Sequence, residues 1–231
     1  MLYHLLFPLH TEIGLLNVVQ YITFRTAAAS LTAFVVSLAF GPAVIKWLRA
    51  LQIKQVVRDD GPATHSTKAG TPTMGGLLLL GAALIPTLLW ADLTNEYVWL
   101  AVLSTVGFGA IGFVDDYLKI ARETPQGLSA RMKLLAQGVV GLAVGLALIE
   151  LAQNNLYNTD LIFPFFKEFT PDIGWLYVPF AMLVLVMASN AVNLTDGLDG
   201  LAISVFTVAA GAFTALTYVS GHAVIADFLL I

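Results

Sequence analysis

Six apolar runs separated by polar connections set the pattern of this chain. A membrane-crossing helix needs about 20 predominantly apolar residues. The runs 26–48, 75–90, 98–114, 134–151, 175–188 and 201–218 are the candidates. The second, third and fifth are short for the task, so their ends are the least defined by pattern alone. Periodicity inside the runs adds little, because helices facing lipid or one another are apolar on every side. Trp47, Trp90, Trp99 and Trp175 fall at expected ends, as an interfacial aromatic belt requires. The pattern predicts an all-α, polytopic integral membrane protein, a single transmembrane domain over 1–231 with about six transmembrane helices.

Composition agrees. Only 11% of the 231 residues are charged and 58% are hydrophobic, with a mean hydropathy of +0.83. Soluble domains carry about 25% charged residues. A formal net charge of -4 offers no basic surface for nucleic acid. The absence of cysteine excludes a disulfide framework, a Cys-ligated metal and a thiol nucleophile. Arg25 is the first Lys or Arg, so the start lacks the basic region of a cleaved signal peptide.

Positive charge fixes the sides. Loop 49–74 holds Arg49, Lys54, Arg58 and Lys68, and loop 115–133 holds Lys119, Arg122, Arg131 and Lys133. Together they carry eight of the eleven Lys and Arg residues. The 91–97 connection has none, and 152–174 has only Lys167. The positive-inside rule puts the two basic loops in the cytoplasm and the N-terminus outside. The 190–200 connection is then cytoplasmic as well. In the outer loop, Phe163-Pro164-Phe165-Phe166 reads as an aromatic anchor in the interface.

Against this background three polar blocks stand out. Gly112-Phe113-Val114-Asp115-Asp116-Tyr117 closes the third run. Ionisable groups near membrane depth are costly and mark function by default, although a helix end reaching water is the plainer reading. Adjacent helical residues point apart, so the two acids are expected to divide their labour unless the helix unwinds. One carboxylate would hold metal while the other orients a reacting group. In the second block, Asn190 to Gly200, Asn193, Asp196 and Asp199 recur every third residue. Gly197 and Gly200 allow tight turns there. Capping of the next helix would explain one acid or amide, not all three. The third block runs Val56-Val57-Arg58-Asp59-Asp60-Gly61-Pro62, His65, Lys68 and Gly70-Thr71-Pro72-Thr73-Met74-Gly75-Gly76. Lys68 and the backbone N–H groups at the following helix start suit phosphate oxygens. By the topology above, the polar blocks share the cytoplasmic side, which argues for one composite site there.

These blocks, in this order, resemble the bacterial phospho-N-acetylmuramoyl-pentapeptide transferases over nearly the whole chain. The two aspartate blocks are shared by the wider superfamily of polyprenyl-phosphate N-acetylhexosamine-1-phosphate transferases. The block from Val56 to Gly76 resembles the muramoyl-pentapeptide branch alone. The resemblance implies transfer of phospho-MurNAc-pentapeptide from UDP-MurNAc-pentapeptide to undecaprenyl phosphate, giving lipid I and UMP in peptidoglycan synthesis. It implies dependence on magnesium (Mg2+) and a site facing the cytoplasm at the bacterial inner membrane. It further implies Asp115, Asp116 and Asp196 as catalytic or metal-binding acids. Lys68, Thr73, Gly75, Asn193 and Asp199 would bind substrate. Membrane lipid is an implied partner, a homodimer is compatible with the reading, and nucleic acid is not expected.

One departure shapes the expectation. Members of the family continue through further helices that add an acidic motif and a His-rich loop. The chain is therefore expected to be a C-terminally truncated fragment, inactive alone. A different N-acetylhexosamine substrate is the nearest rival. A proton or cation transporter is the rival of another class, disfavoured because transport sites lie near the bilayer midplane.

Overall fold

The computed structural model describes residues 1–50, 74–122, 124, 126–163, 166, 169–196, 200–221 and 225. It divides into two compact units, Met1–Leu183 and Val184–Ile231. The elements are α1 (Leu2–Leu6), two 3-10 segments (Phe7–Thr11 and Gly14–Gln20), α2 (Ile22–Ala50), α3 (Gly76–Trp90) and α4 (Glu96–Ala121). Then come α5 (Ala130–Gln153), α6 (Tyr177–Thr195) and α7 (Leu201–Ser220). Among the described residues the sheet-like pairing is one bridge, Asp160 to Asp172. Among the described residues five helical stretches are long and apolar enough to cross a membrane, and α3 is a shorter apolar helix. The expected all-α, multi-pass membrane protein is what the fold delivers.

The short runs resolve differently. α4 continues past Val114 to Ala121 and α6 past Ala188 to Thr195. In α4 the acids at 115 and 116 precede Lys119 by four and three residues, a pairing that supports helix, and the lysine suits the last turn. In α6 the polar side chains bond their own helix: Asn190 Nδ2 donates to Val186 O at 2.8 Å, and Thr195 Oγ1 to Ala191 O at 2.8 Å. α3 gains no length. At about 1.5 Å per residue it spans roughly 22 Å, short of a ~30 Å hydrocarbon core.

Small residues let these helices approach. Gly41 on α2 faces Leu78 on α3, and Gly107 on α4 faces Val140 on α5. On α5, Gly141 and Gly145 repeat at the spacing of one helical turn and lie against α6. A Cβ on Gly145 would stand 3.0 Å from Val178 Cα, and one on Gly141 would stand 3.1 Å from Met182 Cα. Helix pairs in lipid lack a hydrophobic driving force and rely on such close backbone contact.

One end of the first unit gathers the N-terminal segment with residues of the 91–97 and 152–174 connections, which the charge rule put outside. Trp90 Nε1 donates to Thr32 Oγ1 at 3.0 Å, and the Met1 amino group donates to Leu88 O at 2.8 Å. Leu93 N donates to His4 Nε2 at 3.1 Å, while Arg25 lies 4.4 Å over the Tyr3 ring. Tyr157 and Tyr177 share a 2.5 Å hydroxyl contact, and Tyr97 donates its hydroxyl proton to Leu156 O. Burial and that contact push the Tyr157 phenol well above its ordinary range, so it stays neutral. The N-terminal segment 1–20 was not foreseen from the pattern, since its apolar residues form no run of spanning length.

Candidate active site

Opposite that tyrosine end, α4 carries the acid pair. Asp115 lies 18 residues after Tyr97, roughly 27 Å along the helix axis at 1.5 Å per residue. The helix does not unwind there. Instead one side chain bridges both acids. Lys119 Nζ lies 2.9 Å from Asp115 Oδ2 and 2.9 Å from Asp116 Oδ1. Neighbouring carboxylates diverge by about 100° around an α-helix, yet a lysine one turn later sits between them and its long stem reaches both. Both acids converge on one ammonium with the helix intact.

The two acids are not equivalent. The Asp115 side chain is 14% exposed and that of Asp116 35%. Asp115 Oδ1 also accepts a hydrogen bond from Leu128 N at 2.8 Å, so its carboxylate is fixed on both oxygens. The Leu128 amide reaches it because Gly127 has no side chain. A Cβ at Gly127 would stand 2.4 Å from Asp115 Oδ1 and 2.6 Å from Asp115 O. Ser129 then caps α5, accepting from Met132 N at 3.3 Å. Lys133 adds positive charge near Asp115. Asp115 is thus the held carboxylate and Asp116 the more accessible one.

The second unit carries Asn193, in the last turn of α6, and Asp196 just beyond it. Asp196 N donates to Val192 O at 3.2 Å, continuing the helical ladder by one residue. Both side chains are exposed. Gly200 caps α7 with φ +81°, the left-handed turn that glycine tolerates. Asp199, Lys68 and Thr73 lie outside the described residues. Gly75 precedes α3 at φ -57°, with nothing within 4 Å of an added Cβ. The left-handed conformation there falls on buried Met74, at φ +69°, not on the glycines after it.

Among the described residues no three His, Asp or Glu side chains form a metal-binding group. Two carboxylates are nonetheless what magnesium takes from protein when phosphates and water complete its octahedron. The convergence of Asp115 Oδ2 and Asp116 Oδ1 on one cation fits that donor chemistry. Lys119, Gly127 and Leu128 were missed as site residues from sequence. The Asp-Asp-x-x-Lys spacing could have revealed Lys119, whereas nothing local marks Gly127.

The chain belongs to glycosyl transferase family 4, whose model matches residues 98–231. That span contains the acid pair and the Asn193–Asp196 region. Residues 68–80 match signature 1 of the phospho-N-acetylmuramoyl-pentapeptide-transferases, a block that includes Lys68, Thr73 and Gly75. Relatives of that name include proteins of Maridesulfovibrio salexigens, 52% identical over 99% of this chain, and of Nitratidesulfovibrio vulgaris, 53% identical over 99%. Another, from Koribacter versatilis, is 51% identical over 99%. The chain spans 63% of the first two and 64% of the third. The resemblance drawn from the three blocks is borne out.

Proposed function

We infer that the protein transfers phospho-MurNAc-pentapeptide from UDP-MurNAc-pentapeptide to undecaprenyl phosphate, releasing UMP and forming lipid I. The carrying observation is the convergence of Asp115 and Asp116 on a single cation at the end of α4. The names of the relatives and the match at residues 68–80 support the substrate choice. In this reaction an oxygen of the lipid phosphate forms a new phosphoanhydride bond with the sugar-bearing phosphorus. The bond to the uridine-linked phosphate breaks, and UMP leaves.

Such chemistry is mostly positioning and charge neutralisation. Asp115, fixed by Leu128 N–H, would keep its place while Asp116 faces the reacting phosphates. Magnesium, when bound, would neutralise phosphate charge and be held by Asp115 and Asp116, with Asp196 as a further candidate ligand. Lys68, Thr73, Gly75, Asn193 and Asp199 would bind the nucleotide and sugar phosphates. The basic residues clustered in 49–74 and 115–133 support a cytoplasmic site at the bacterial inner membrane. The test supplies both substrates and Mg2+ to the full-length protein in lipid and follows UMP. Turnover of UDP-GlcNAc with none of the muramoyl substrate would reject the substrate assignment.

A further inference from the structure

We propose that Lys119 is a displaceable counter-cation, whose ammonium holds Asp115 and Asp116 until a phosphate-bearing substrate and a divalent cation arrive together. Lys119 is then a positioning residue that couples the two binding events. This inference rests on the phosphoryl-transfer reading above.

Charge matching carries it. The ammonium sits 2.9 Å from an oxygen of each carboxylate, so the point where both converge is already filled by one positive charge against two negative ones. A metal ion arriving alone must expel the ammonium and leave it unpaired beside a dication. A phosphate arriving alone must draw the ammonium away and leave two adjacent carboxylates unpaired. When both arrive, the metal takes the carboxylates, the ammonium donates to phosphate, and every charge has a partner.

Geometry makes the exchange accessible. The Lys119 side chain is 36% exposed, and ion pairs at such exposure are held weakly. Its four-carbon stem and three rotatable N–H donors suit a change of partner. Asp115 does not collapse when the lysine leaves, because Leu128 N–H still holds Oδ1 at 2.8 Å. Two ligands that relieve each other's penalty bind cooperatively, and the coupling is reciprocal.

The experiment measures Mn2+ binding by electron paramagnetic resonance on the full-length protein in nanodiscs, with and without a short-chain polyprenyl monophosphate. In the native protein the phosphate should tighten Mn2+ binding by about tenfold, within the range usual for coupled sites. In Lys119→Met, Mn2+ alone should bind several-fold tighter, and the phosphate effect should vanish. A fixed neighbouring charge would weaken metal binding equally in both conditions. The same affinity and the same coupling in Lys119→Met as in the native protein would overturn the proposal. If that variant does not fold, Lys119→Arg serves instead. Its forked guanidinium should grip both carboxylates and weaken Mn2+ binding, and unchanged binding would again overturn it. The Asp115→Asn/Asp116→Asn double variant separates the two layers. Native-like Mn2+ binding in it would reject the metal reading of the pair itself.

Discussion

The Asp115 carboxylate accepts the Leu128 amide at 2.8 Å, tying the end of α4 to the segment that begins α5. A pair 13 positions apart in sequence thereby fixes one acid of the site, and Gly127 is the residue that lets the backbone come so close.

Gly127→Ala is expected to break this arrangement. Its Cβ would meet Asp115 Oδ1 at 2.4 Å, so either the segment or the carboxylate must move. Displacement by about 1 Å near the chemistry can cost roughly 10²-fold in rate. UMP release should fall by about that order while membrane insertion is unaffected. Native turnover would show that the Leu128 contact is dispensable.

Asp196→Asn should remove magnesium-dependent turnover without disturbing the fold. The Asp196 carboxylate is exposed, and its backbone N–H keeps its bond to Val192 O whatever the side chain. Turnover against Mg2+ concentration, with a thermal melt as control, decides it. Normal activity would take Asp196 out of the site.

The α5–α6 contact should be intolerant of bulk. Gly145→Val places methyl groups where Val178 Cα already lies 3.0 Å from an added Cβ. Overpacking of this kind costs about 1–3 kcal/mol, read as a lower melting temperature in detergent. Gly138→Ala, on the same helix with nothing within 4 Å of its Cβ, should melt like the native protein.

The loop between α5 and α6 should loosen in acid. The Thr159 hydroxyl, donating at 2.5 Å, and then Gly174 N–H at 2.8 Å hold the Asp172 carboxyl below the usual carboxylate range. A depressed folded pKa means that the contribution is present above the unfolded value and is lost as pH falls through the folded one. Amide exchange across 158–174 should therefore accelerate only in acid below the ordinary aspartate range. Asp172→Asn should flatten that dependence, and an unchanged profile would reject the assignment.

Orientation can be tested directly, because the chain has no cysteine. Gln126→Cys should react with an impermeant maleimide from the cytoplasmic side only. Ile162→Cys, 79% exposed in the other loop, should react only from outside. Reversed labelling would invert the topology.

Much of this protein was determined by sequence alone. Spans and the three polar blocks follow from local physics, because burial in lipid demands apolar length. The resemblance rested on the same linear blocks. Helix ends were less legible, because α4 runs seven residues beyond Val114 to Ala121. An acid pair looks like a terminus until the lysine that neutralises it is seen on the same helix. Tertiary structure decided what no local pattern encodes. It set the approach of Gly127 to Asp115, the seating of Gly141 and Gly145 against α6, and the return of the N-terminal segment onto the start of α2 and the end of α3. Each depends on backbones distant in sequence meeting within a few ångströms. A glycine permits such a meeting, but its partner is chosen only when the helices assemble.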